Sequence, residues 1–357
     1  MTPYERLRAM VNKQPVDRPG VSAWKHFHGE DRVVNDLVKK TIAFEEQNQW
    51  DLIKVMANGV YVQEQYGADI RWSRDGVEFP TTLRRVINSP HGFRSLQLVD
   101  VSQGAIHREV EVVDRLMDYY GGRVPVIATV FTPLTYAQEL YNGFQNPYLF
   151  TDLVNYYGDD LLEGLNVLTE LTAMIIEEYV KVGVDGIFYS SQFANDLQIT
   201  AEQYDIFSRP YDLKAFEPAL GKTWFNMLHI HGDTGLFFDK FVNYPFEALN
   251  WQSTVSNVSL KQAAGMTDKI LVGGIDRRQD FCIADRRELS AHVLDLVRQA
   301  TQDVPANRLI VAPGCCVPSD LPECRFNALK EAMDTLYGPD PGPVSPLQRI
   351  ANKARSV

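Results

Sequence analysis

The chain has 357 residues, 45% of them hydrophobic and 23% charged, the balance of a folded globular protein without disordered or repetitive segments. A net charge of −11 argues against a surface built to meet nucleic-acid phosphates, and no run of about 18 apolar residues is present to span a membrane. The opening Met1-Thr2-Pro3-Tyr4-Glu5-Arg6 lacks a signal-peptide core, and Cys282, Cys315, Cys316 and Cys324 are too few and too clustered for a disulfide framework, so a cytoplasmic protein with reduced thiols is expected.

Eight short apolar, β-prone runs follow in chain order: Gly20–Trp24, Leu52–Met56, Val124–Val130, Gly186–Tyr189, Thr223–Ile230, Ala248–Gln252, Ile270–Gly274 and Leu309–Ala312. Amphipathic segments separate them. Leu161, Leu165, Leu168, Ile175, Ile176 and Tyr179 form one helical stripe that Gly183 ends; Thr200 is a capping candidate, and Leu289–Ala300 and Glu323–Leu336 read as later helices, with Pro322 near the start of the last. Eight strands alternating with helices, and no Gly-x-Gly-x-x-Gly turn after the first, predict a (β/α)8 TIM-type barrel. Ile70–Gln103, punctuated by Trp72, Gly76, Pro80, Pro90 and Gly92, predicts a hairpin-bearing insertion after strand two, placed to wall or cover the active face. The barrel is expected to occupy residues 1–338 as one domain, with an irregular tail over 339–357.

Barrel chemistry sits where strands end. The residues there are polar: Lys25, His26 and His28; Asn58; Thr132 and Tyr136; Ser190, Ser191 and Gln192; His231 and Asp233; Gln252; Asp276, Arg277 and Arg278; and Cys315. The pattern His229-Ile230-His231 places two imidazoles on one strand face, and Cys315 supplies a thiol from the end of strand eight. Either these are ordinary hydrogen-bonded side chains, or they meet as a three-ligand zinc site with one open position.

The stretches Trp50-Asp51-Leu52-Ile53-Lys54-Val55-Met56, Thr132-Pro133-Leu134-Thr135-Tyr136-Ala137-Gln138-Glu139, Gly186-Ile187-Phe188-Tyr189-Ser190, His229-Ile230-His231-Gly232-Asp233, Gly273-Gly274-Ile275-Asp276 and Pro313-Gly314-Cys315 resemble the uroporphyrinogen decarboxylase superfamily, from Tyr4 to about Leu336. That superfamily also contains zinc-dependent methyltransferases acting with corrinoid proteins and thiols. The resemblance is closer to this second branch. Where decarboxylases carry an arginine-rich segment after the first strand, this chain has Ala23-Trp24-Lys25-His26-Phe27-His28-Gly29. Their essential aspartate falls at Asn58, which has no charge to stabilise a cationic intermediate, and their late histidine falls at Cys315. Tyr136 and Ser190 match positions lining the decarboxylase cleft.

The methyltransferase branch uses a His-x-Cys pair and a later Pro-Gly-Cys. The resemblance therefore implies zinc on His229, His231 and Cys315, with histidine replacing a cysteine at 231 and Glu139 as a candidate fourth, weakly held ligand. Asp233 or Asp276 would orient a ligating imidazole. His26 is a candidate for proton transfer, and Lys25, Arg277 and Arg278 are either holders of an anionic substrate tail or ordinary surface charges. The expected activity is zinc-assisted methyl transfer between a corrinoid protein or a methylated small molecule and a thiol or similar acceptor, in a homodimer. The alternatives are a lyase that decarboxylates a porphyrinogen or other small acid, a metal-dependent hydrolase or demethylase, and a non-catalytic tetrapyrrole-binding barrel.

Overall fold

A computed structural model describes residues 1–142 and 147–340, so most of the expected tail lies outside the described residues. Eight parallel strands form the main sheet: β1 (Gly20–Val21), β2 (Ile53–Lys54), β5 (Val126–Phe131), β6 (Gly186–Ser191), β7 (Met227–Ile230), β8 (Ala248–Asn250), β9 (Ile270–Ile275) and β10 (Leu309–Pro313). Between the second and third of these, β3 (Asp69–Arg71) and β4 (Thr81–Arg84) form a separate antiparallel pair, the hairpin of the insertion. The main sheet runs β1-β10-β9-β8-β7-β6-β5-β2. Its two ends meet: the Asp51 N–H donates to Val21 O at 2.9 Å, and Ser22 Oγ donates to Leu52 O at 2.8 Å. The sheet thereby curls into the expected barrel.

Period-two alternation sorts the apolar residues into two cores. Leu52, Met56, Ile127, Phe188, Met227, Ala248, Val272, Ile310 and Ala312 fill the inside, together with Leu7 and Met10 of the helix Pro3–Val11. Their strand neighbours Ile53, Val55, Ala128, Ile187, Leu228, Leu249, Leu271 and Val311 face outward into the larger core shared with the helices. The 24-residue helix Gly158–Lys181 carries the expected stripe, with Leu161, Leu165, Leu168, Ile175, Ile176 and Tyr179 all buried. No helix among the described residues is long and apolar enough to cross a membrane.

Some boundaries differ from expectation for identifiable reasons. Strand β7 begins at Met227 and not Thr223, because the Trp224 and Phe225 N–H groups both turn to Asp185 O, at 2.9 and 3.1 Å. Thr200 caps its helix in a reciprocal box with Gln203. The last helix is broken into a 3-10 turn, Glu323–Phe326, and an α-helix, Asn327–Tyr337.

The start of β2 rests on charge. Asp51 is fully buried and accepts from both Arg6 and Arg18, the latter at 2.6 Å, as well as from the Val21 N–H at 2.8 Å. Arg6 and Arg18 also reach Asp340, and Arg6 pairs with Asp17 at 2.8 Å. Two guanidinium groups are thus taken out of water only because three carboxylates meet them.

Candidate metal centre

Strand β7 directs Met227 and His229 into the barrel, where His229 lies beside Ser190 of β6 and Asn250 of β8 in register. The chain then turns at Gly232, whose φ of +137° suits a residue without Cβ; a Cβ there would stand 2.9 Å from Asn195 Nδ2. That same Nδ2 donates to His231 O at 3.0 Å and so fixes the turn. From β10, Gly314 lets the chain pass close to β8, since a Cβ would stand 2.6 Å from Trp251 O. Cys315 arrives beside the histidines as a result.

His229 Nε2 lies 3.3 Å from His231 Nδ1, and Cys315 Sγ lies 3.9 Å from that same Nδ1. The three donor atoms fall within 4.8 Å of one another. Tetrahedral bonds from one zinc ion would hold imidazole nitrogens roughly 3.3 Å apart and nitrogen and sulfur roughly 3.6 Å apart. The two nitrogens already stand at that separation, and the sulfur has to move inward to complete the set. Among the described residues no other three His, Cys, Asp or Glu side chains converge in this way. His229 is buried while His231 and Cys315 are half-buried, which leaves the group open on one side.

The Cys315 thiol is held well below the ordinary thiol range by the neighbouring Cys316 and by the two imidazoles, against the opposing effect of burial. Cys316 is pushed up by Cys315 and by burial. A readily formed thiolate at Cys315 is what a divalent metal requires.

The other expected site residues are placed differently. Asp233 pairs with Arg278 at 2.7 Å, and Asp276 caps its own turn, accepting from the Arg278 and Gln279 N–H groups at 2.7 and 3.1 Å. The partner of the His229 imidazole is Asn250, whose Oδ1 lies 2.6 Å from His229 Nδ1. Glu139, on the helix Pro133–Asn142, stands outside the group of three; its Oε1 has no partner, and burial holds its carboxyl well above the usual range. Tyr136 bonds to the Tyr61 hydroxyl and accepts from the Phe131 N–H at 3.2 Å. The Asn58 Oδ1 accepts from the Val60 N–H at 3.1 Å, leaving its Nδ2 unpartnered. Ser190 accepts from Gln192 Nε2 at 3.3 Å.

His26 is half-buried, stacks on His28 at 4.8 Å, and carries an Nδ1 cut off from solvent without a partner. Burial, His28 and Lys54 hold it well below its ordinary range, and a charge on Cys315 opposes them. Phe79, in the connection between β3 and β4, packs nearly perpendicular to both imidazoles. Lys25 donates to Leu321 O at 2.8 Å, and Arg277 reaches Cys316 O at 3.5 Å.

Sequence spacing does not single out two further residues. Asn250 is one. Lys54 is the other: its ammonium sits inside the barrel over the Phe188 ring, and Phe188 in turn stacks on His229. Alternation with Leu52 and Met56 was the available signal for Lys54.

Among known proteins, the chain is 23% identical to the methylcobamide:CoM methyltransferase MtbA of Methanosarcina acetivorans, over 92% of this chain and 97% of that protein. It is 24% identical to the MtbA of Methanosarcina mazei, over 77% and 83%. A solved methyltransferase from Methanosarcina mazei shares the fold with a TM-score of 0.79 at 18% identity, covering 94% of this chain and 99% of the other. A B12-independent methionine synthase from Shewanella sp. W3-18-1 follows with a TM-score of 0.56 at 14% identity, covering 91% and 89%. Residues 34–336, spanning the barrel from the helix after β1 to the last helix, match the family described as uroporphyrinogen decarboxylase (URO-D), and the chain belongs to that family.

Proposed function

We propose that this protein is a methyltransferase in which zinc, held by His229, His231 and Cys315, assists transfer of a methyl group from a protein-borne methylcorrinoid to a small thiol. The observation that carries the proposal is the convergence of those three donors within 4.8 Å of one another, with two of the three side chains only half-buried. The similarity to MtbA sequences over nearly the whole chain supports the reaction class. Asn58 weighs against porphyrinogen decarboxylation, because its amide supplies no negative charge to the mouth.

Bound at this position, zinc lowers the pKa of a thiol and holds its sulfur in place. The chain's own groups do the rest. Phe188 and the apolar barrel interior exclude water beneath His229. His26, whose Nδ1 has no partner among the described residues, is the group we assign to take up the thiol proton. Transfer would form the sulfur–carbon bond as the donor's bond to the methyl group breaks, the electron pair of that bond staying with the donor.

The test is metal analysis of protein purified without added metal, paired with anaerobic conversion of methylcobalamin in the presence of thiols. Near-stoichiometric zinc in wild type, lost in His229→Ala and Cys315→Ala together with thiol methylation, is expected. A wild-type chain that holds no zinc even after zinc is supplied overturns the proposal.

A further inference from the structure

Asn250 ends β8, between the strand that carries His229 and the loop that carries Cys315. Its side chain is fully buried. Nδ2 donates to Val272 O at 3.0 Å and to Pro313 O at 3.1 Å, while Oδ1 lies 2.6 Å from His229 Nδ1. An amide nitrogen only donates, so the two carbonyls decide which end of this side chain faces the histidine. Oδ1 only accepts. His229 must therefore carry its proton on Nδ1, which leaves the lone pair on Nε2, the atom that faces His231.

The third bond of this amide matters as much. Pro313 lies two residues before Cys315, and its carbonyl is gripped by the same Nδ2. One side chain thus fixes an imidazole from β7 and the backbone that delivers a sulfur after β10. We propose that Asn250 is the positioning residue of the metal centre: it selects the tautomer of His229 and sets the separation between His229 and Cys315. The inference rests on the metal-centre reading above. Aspartate at this position keeps the acceptor and loses both donors, and leucine has the size but none of the three bonds.

The experiment compares wild type with Asn250→Asp and Asn250→Leu. Zinc affinity is measured by competition with a chromophoric chelator, and the ligand field by the visible spectrum of Co(II)-loaded protein. A loss of affinity of about 10- to 100-fold in both variants, with shifted Co(II) bands, is expected, since outer partners of metal-bound histidines commonly have that effect. Circular dichroism and cooperative melting of the metal-free proteins separate this loss from misfolding. Folded variants with wild-type zinc affinity and an unchanged Co(II) spectrum overturn the inference. Should the variants fail to fold, imidazole 15N shifts of the wild type decide: a protonated His229 Nδ1 supports the assignment, and a protonated Nε2 in the metal-free chain overturns it. A wild type that takes up neither metal is a separate result and removes the metal centre itself.

Discussion

The ammonium of Lys54 lies 4.5 Å from the centre of the Phe188 ring, and that ring stacks on His229 at 5.3 Å with the planes 24° apart. Its hydrogen-bond partner is the Met56 sulfur at 2.7 Å, with no carboxylate pairing it among the described residues. A π face and a thioether replace water poorly, and burial pushes Lys54 below its usual range, with Cys316 and Cys315 opposing. Lys54→Met should therefore stabilise the fold against urea by about 1–3 kcal/mol at neutral pH. Between its lowered folded value and 10.5, the unfolded chain binds a proton that the native state lacks, so wild-type stability rises with pH across that window. The advantage of the variant should accordingly shrink as pH climbs toward 10.5. A difference that stays constant with pH would contradict this account of Lys54.

Position 231 offers a direct change of ligand. His231→Cys would place a second thiolate beside Cys315 and lower the charge of the loaded site by one unit. Zinc affinity should rise by about tenfold or more, and the sulfur-to-cobalt charge-transfer absorption of Co(II) protein should roughly double. Chelator competition and the ultraviolet spectrum read the two effects separately.

At Gly314 the issue is space. A Cβ would press on Trp251 O and on the Gln252 side chain, so Gly314→Ala must push the chain away from β8 and carry Cys315 with it. The expected loss of stability is about 1–3 kcal/mol, accompanied by loss of stoichiometric zinc. Unchanged metal content would mean that the loop tolerates the shift.

Asp212 governs a pH effect remote from the metal. Burial pushes its carboxyl up to about 7, while hydroxyls of Tyr204 at 2.8 Å and Ser208 at 2.9 Å oppose the rise. From pH 3.8 to about 7 the native chain keeps a proton that the unfolded chain has released. Stability from this group is thus greatest below that window, falls as pH rises through it, and levels off above. Asp212→Asn should flatten the curve and add on the order of 2–4 kcal/mol at neutral pH. Denaturant midpoints from pH 4 to 8 would test the slope.

The strands were legible because buried parallel strands read as short apolar runs, and each of the eight lies within or overlaps the run that announces it. The convergence of His229, His231 and Cys315 was legible because the two histidines sit two apart and Cys315 follows a strand end. Asn250 was not, since its three partners lie 21, 22 and 63 positions away and no local spacing reports them. Asp233 and Asp276 were singled out because each follows a strand end on the same rim as the histidines. Both instead satisfy closer demands, an arginine across the mouth and the N–H groups of a turn.

The junction of β1 and β2 has a consequence for motion. Elsewhere around the ring, neighbouring strands share a continuous parallel ladder, whereas here Asp51 contributes both its amide and its carboxylate and Ser22 lends a hydroxyl. Asp51→Asn would remove the negative charge of the clasp and leave the two arginines without their shared counter-ion. Deuterium should then enter first at Val21 and at position 51, unzipping the cylinder along this line while the amides between β9 and β10 remain protected.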